Sequence, residues 1–134
     1  MNASQKEQLL EAARQVRIHA HAPYSNFKVG AAVLAGSGKI YAGVNVENAS
    51  FPAGVCAECV AVASAVTAGE GKIDAVCVVT DMENPAAPCG VCRQVLAEFG
   101  PDMDVILASS NPDSPLVTTS MASLLPGHFN GDAL

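Results

Sequence analysis

The alternation of apolar and polar positions divides the chain into a helix, two short strands, a helix, a strand, a helix and two more strands. Leu9, Ala13, Val16 and Ala20 recur on one helical face, and Ser4 with Glu7 forms a capping-box pattern ahead of them, so a first helix is expected up to about Ala20. Residues 27–34 and 40–46 read as strands joined through Gly36-Ser37-Gly38, a hairpin. The run from Cys56 to Ala68 reads as a helix stopped by Gly69 and is apolar nearly all round. Such a helix is normally buried on every side, which points to contacts beyond one small domain. Residues 73–80 form a β-branched strand, and 89–99 a helix stopped by Gly100-Pro101. Strands at 104–108 and 116–119 follow, with a short helix near Leu124. That order predicts an α/β fold, a three-layer α/β/α sandwich around a five-stranded mixed sheet, in one domain spanning 1–134.

Composition narrows the function. A formal net charge of −6 repels phosphate backbones, so a nucleic acid polymer is not expected as partner. The N-terminal stretch has charges throughout and no apolar core of a signal peptide, and no apolar run is long enough to span a membrane. Five cysteines in that context point to the reducing cytoplasm, where spaced cysteines more often serve metal or catalysis than disulfides.

The chemistry concentrates in Cys56-Ala57-Glu58 and Pro88-Cys89-Gly90-Val91-Cys92-Arg93-Gln94. Cys89 and Cys92 are three apart at a helix start and project to one side; Cys56 begins the other helix. If the two helix starts converge, Cys56, Cys89 and Cys92 bring three thiolates to one metal ion, in a setting where helix dipoles favour negative charge. Zinc suits thiolates, and three protein ligands leave a fourth position for water. Glu58 is placed to carry protons, as in the C-x-E plus P-C-x-x-C signature of zinc deaminases. Cys77 reads as a small buried hydrophobe. Cys59 turns the first motif into C-x-x-C as well, so a closed four-cysteine structural zinc in a non-catalytic module is the rival reading.

These motifs, together with Pro23-Tyr24-Ser25-Asn26-Phe27, Gly43-Val44-Asn45-Val46-Glu47-Asn48 and the late Leu125-Pro126-Gly127-His128-Phe129, resemble the small homotetrameric cytidine deaminases along nearly the whole chain. The resemblance implies one zinc per subunit on Cys56, Cys89 and Cys92, with Glu58 as proton shuttle. It implies that Phe27 and Ala57 line the pyrimidine pocket and that Asn45 and Glu47 hold the ribose 3′-hydroxyl. It also implies a homotetramer in which Phe129 reaches into a neighbouring subunit's pocket. The expected activity is deamination of cytidine and 2′-deoxycytidine, with a modified cytosine nucleoside such as blasticidin S as the alternative substrate. Two positions depart from the family pattern. Cys59 stands where Arg is common, so Arg93 and the helix N-termini are expected to offset the charge of a three-thiolate zinc, and Phe51 stands where Tyr is frequent.

Overall fold

A computed structural model describes residues 1–134, the side chain of Ala133 excepted. Its elements are α1 (Ala3–Arg17), β1 (Gly30–Ala35), β2 (Ile40–Val44), α2 (Ala57–Thr67), β3 (Ile73–Thr80), α3 (Gly90–Phe99), β4 (Asp104–Ser109), β5 (Val117–Ser120) and α4 (Met121–Leu124). The five strands form one mixed sheet in the order β2-β1-β3-β4-β5. β1 runs antiparallel to both β2 and β3, β3 and β4 are parallel, and β5 returns antiparallel to β4. The expected α/β sandwich is the observed architecture. On one face Leu9 and Ala13 of α1 pack on Ala32, Leu34, Cys77, Val79 and Ile106. On the other, Ala61, Val62 and Ala65 of α2 and Leu96 of α3 pack on Ala31, Val33, Val76, Val78 and Val105. No helix is long and apolar enough to cross a membrane among the described residues.

Several boundaries differ from the sequence expectation, each for a traceable reason. The capping box of α1 is built by Asn2 and Gln5, whose side chains bond each other's backbone N–H at 2.8 and 3.0 Å, rather than by Ser4 and Glu7. Asn is as good a cap as Ser and comes first in the chain. α1 ends at Arg17 and not near Ala20, because His21 must be extended to exchange backbone bonds with Asn45 and Glu47 at 3.0 and 2.8 Å. β1 starts at Gly30, three residues later than expected, since the carbonyl of Phe27 and the N–H of Val29 are taken by the side chain of Asn45, leaving Val29 one long backbone bond, from the N–H of Asn45 at 3.3 Å. β2 stops at Val44; beyond it Val46 pairs with Val55, exchanging two backbone bonds of 2.9 Å. The sheet thus frays into loops at one end, and that end carries the polar residues of the candidate site.

α2 is not sealed on all sides within one chain. Ala57, Glu58, Ala61, Val62 and Ala65 are buried, whereas Val66 on the outer face is 42% exposed. Its inner face lies unusually close to β2 because position 43 is Gly. A Cβ there would sit 2.5 Å from the amide nitrogen of Ala61, 2.7 Å from the carbonyl of Ala57 and 2.9 Å from Cβ of Val60. Gly43 therefore sets how deeply the first turn of α2, with Glu58, sinks toward the sheet.

Candidate metal centre and nucleoside pocket

The crossover from β3 to β4 places the start of α3 beyond the carboxyl end of β3, the edge where α/β folds usually form their sites. α2 packs beside α3 with its own start at the same end. Cys56 is the N-cap of α2 and Cys89 the N-cap of α3, both with extended backbone, and Cys92 lies in the first turn of α3. The sulfurs of Cys56, Cys89 and Cys92 all fall within 4.8 Å of one another. Zinc–sulfur bonds of about 2.3 Å in a tetrahedron put ligand sulfurs roughly 3.8 Å apart, so small rotations of these side chains suffice to close a three-thiolate site.

The electrostatics of the three thiols agree with a cation between them. Backbone N–H groups of Cys92 and Val91, exposed at the start of α3, pull the Cys89 thiol below its ordinary range. Cys56 is pushed up to about 11, chiefly by burial, with repulsion from Cys89 and Glu58 adding to it. Cys92 is fully buried and is raised by that burial and by Glu58, Cys56 and Cys59. A divalent ion is what makes three neighbouring thiolates compatible, and an all-sulfur set selects zinc among the common divalent ions.

Cys59 does not join the set. Its sulfur contacts that of Cys92 at 3.6 Å, yet among the described residues only Cys56, Cys89 and Cys92 form a mutually close group. The closed four-cysteine arrangement is thus not the one the helices make: the first turn of α2 buries Glu58, keeps the exposed Cys56 with Cys89 and Cys92, and leaves Cys59 against the flank of Cys92. Cys77 lies in the α1 layer, fully buried in the middle of the sheet, with its thiol pushed up to about 12 by burial.

Glu58 is 5% exposed, and burial pushes its carboxyl above the usual range. It lines a cavity of about 230 Å³ together with Phe27, Val29, Ala57, Cys56 and Cys89. The same cavity is walled by Val78, Thr80, Ala86 and Ala87, none of which the motifs had marked. Thr80 carries a signal, being the polar last residue of a strand that is apolar and buried from Ala75 onward. A second, more open cavity of about 470 Å³ adjoins it, sharing Asn45 and Cys56 and lined further by Tyr24, Ser25, Glu47 and Phe51. The Phe51 ring is 75% exposed and meets Tyr24 edge-on at 6.0 Å.

Asn45 and Glu47 are held largely by backbone groups. The Asn45 amide accepts from the N–H of Val29 at 2.9 Å and donates to the carbonyl of Phe27 at 2.7 Å. One oxygen of Glu47 accepts the N–H groups of Tyr24 and Ser25 at 3.0 and 3.1 Å, and the other accepts the Ser25 hydroxyl. These bonds, those of Ser25 above all, hold the Glu47 carboxyl below its ordinary range. Arg93 donates to the carbonyls of Pro88 and Leu124, both at 2.8 Å, and so braces the turn before Cys89 against α4. Phe129 lines neither cavity of its own chain; its ring is 60% exposed, and its carbonyl accepts from Gln94 at 2.9 Å.

An α/β/α sandwich that brings two helix starts together around three thiols and a buried carboxylate defines a zinc-centre protein of the deaminase type. Residues 3–109 match the model for the cytidine and deoxycytidylate deaminase zinc-binding region, and the chain belongs to that family. It is 43% identical over 129 residues to the cytidine deaminase of Sporosarcina psychrophila, covering 96% of this chain and 93% of that one. It is 40% identical over 135 residues to a probable cytidine deaminase of Dictyostelium discoideum, covering 100% of this chain and 90% of the other. The crystal structure of cytidine deaminase from Burkholderia pseudomallei superposes with a TM-score of 0.87 at 45% identity, over 96% of this chain and 100% of its own.

Proposed function

We propose that this chain is a zinc-dependent deaminase that hydrolyses cytidine and 2′-deoxycytidine to uridine and 2′-deoxyuridine, releasing ammonia, in pyrimidine salvage. The observation that carries this reading is the buried Glu58 beside the thiol cluster, in a cavity of about 230 Å³, large enough to admit a pyrimidine ring. Cys56, Cys89 and Cys92 would hold one zinc per subunit, which would lower the pKa of a bound water to roughly 7. Burial raises the Glu58 pKa above that of an ordinary carboxylate, which suits it to take up a proton and give it to N3 of the base, leaving C4 open to addition of water. Glu58 then moves a proton to the exocyclic nitrogen, which departs as ammonia. Phe27 and Ala57 wall the ring, and Arg93 with the helix starts offsets the negative charge of the thiolates.

Free nucleosides fit better than nucleotides. Among the described residues no Lys or Arg lines either cavity, and the hydrogen-bonded Glu47 carboxylate would repel a phosphate. Asn45 and Glu47 together offer a donor and an acceptor, which suits a ribose 3′-hydroxyl. The exposed apolar surface of α2 and the outward Phe129 fit a homotetramer in which each tail completes a neighbour's site. The whole chain, 1–134, then acts as one domain per subunit, and its five free cysteines suit the cytoplasm.

The direct test is a zinc-quantified assay of the purified protein with cytidine, following ultraviolet loss, with Glu58→Ala as control. Turnover by the wild type and none by the variant is expected. Stoichiometric zinc without turnover of cytidine or 2′-deoxycytidine would redirect the reading to a modified nucleoside. Truncation after Leu125 is expected to abolish activity while circular dichroism stays that of the folded domain; a fully active truncated monomer would contradict the shared site.

A further inference from the structure

Ser25 lies outside the thiol cluster, yet its hydroxyl is the one group bonded to both the Glu47 side chain and the backbone that carries Phe27. It donates to one oxygen of Glu47 and accepts from the N–H of Phe27 at 3.0 Å. A hydroxyl has a single proton, so with that proton committed to Glu47 only lone pairs remain for Phe27, and the direction of the chain is fixed. The other oxygen of Glu47 already receives the N–H groups of Tyr24 and Ser25. A carboxylate accepts in about four directions, so three are taken and the free one belongs to the oxygen that Ser25 holds. Asn26, between these residues, adopts a left-handed backbone with φ 57°, which turns the chain so that Phe27 reaches back to Ser25.

We infer that Ser25 is a positioning residue for sugar recognition: its hydroxyl aims the free acceptor of Glu47 into the larger cavity and ties it to Phe27 in the smaller one. This rests on the reading that Glu47 contacts a sugar hydroxyl. Ser25 and Glu47 both line the larger cavity, while Phe27 lines the smaller, so one hydroxyl sets the offset between sugar and base. The depressed pKa of Glu47, caused first by Ser25, agrees with a carboxylate kept ionised as an acceptor.

The test compares cytidine with 2′,3′-dideoxycytidine, which lacks the 2′- and 3′-hydroxyls, on the zinc-loaded full chain. Ser25→Ala is expected to lower kcat/KM for cytidine about tenfold, mostly through KM, as loss of a bond to a charged group does. For dideoxycytidine the loss stays below about twofold, and Ser25→Thr restores the cytidine value, because in each case the hydroxyl and its acceptor decide the outcome. Zinc content and near-ultraviolet dichroism serve as folding controls. Equal losses on both nucleosides, or no loss at all, would overturn the role of Ser25. Glu47→Gln in the same assay separates the two readings. If it weakens cytidine selectively while Ser25→Ala does not, Ser25 alone is misassigned; if it spares cytidine, the sugar contact itself fails and the Ser25 role falls with it.

Discussion

Two glutamates eleven positions apart in the sequence have been given opposite chemistry by their surroundings. Glu58 sits in the first turn of α2, nearly sealed from water, with burial raising its pKa. Glu47 sits in a loop with three donors on its carboxylate, which lower it. A carboxyl that is easy to protonate serves as a proton carrier, and one that stays ionised serves as a fixed acceptor. The site thus divides into a more enclosed end at Glu58 and a more open end at Glu47, the reacting and recognition ends of the proposed reaction, which share Asn45 and Cys56 as their boundary.

The largest expected effect comes from neutralising Glu58, the proposed proton carrier. Glu58→Gln keeps the shape of the side chain and leaves the three cysteines in place, so zinc content should remain one per chain. Its kcat should fall at least about a hundredfold, the lower end of what positioned acid–base groups contribute. A variant with near-native kcat and full zinc would end the division of roles between the two glutamates.

The reacting end was legible in the sequence because its geometry is local. Cys56, Glu58, Cys89 and Cys92 stand at helix starts, where spacing within one turn dictates which side chains share a face. Strand β3 was read with its observed limits, since β-branched residues run through 73–80 without a breaker. Cys59 was ambiguous for the same reason: two C-x-x-C pairs look alike until the packing of α2 on α3 decides which sulfurs converge. The recognition end was legible only through resemblance. Its bonds join Ser25, Phe27 and Val29 to residues 16 to 22 positions away, mostly between side chain and backbone, and no periodicity encodes such pairs. Hence the sequence pattern starts β1 too early, at 27, and leaves Ser25 inside a motif without a role of its own.

A second way to probe the comparison is to disturb one end through the fold. Gly43→Ala would press a methyl group into the backbone of α2 at Ala57 and Ala61. Overpacking of this kind costs about 1–3 kcal/mol, read as a lower urea midpoint. The displaced turn carries Cys56 and Glu58, so zinc should also bind more weakly. The bonds of Glu47 to Tyr24 and Ser25 lie away from that contact, and the KM of the zinc-saturated variant should change less than its kcat. Equal changes in both would mean that the two ends move as one body.

The smallest effect concerns Glu47 and pH. Its folded pKa lies below the unfolded value, so its bonds stabilise the fold above the ordinary carboxylate range and that contribution is lost as pH falls through the depressed folded pKa. His21, the other titratable group acting on it, pulls in the same direction while it is charged. Wild type should therefore melt slightly higher than Glu47→Gln at pH 7, and the two melting curves should converge as the pH drops below the usual carboxylate range. The carboxylate is open to water, which keeps the difference small. A difference that instead persists unchanged into acid would show that Glu47 holds the loop by shape and not by charge. Glu58 would then be left as the one carboxylate of the site whose ionisation matters.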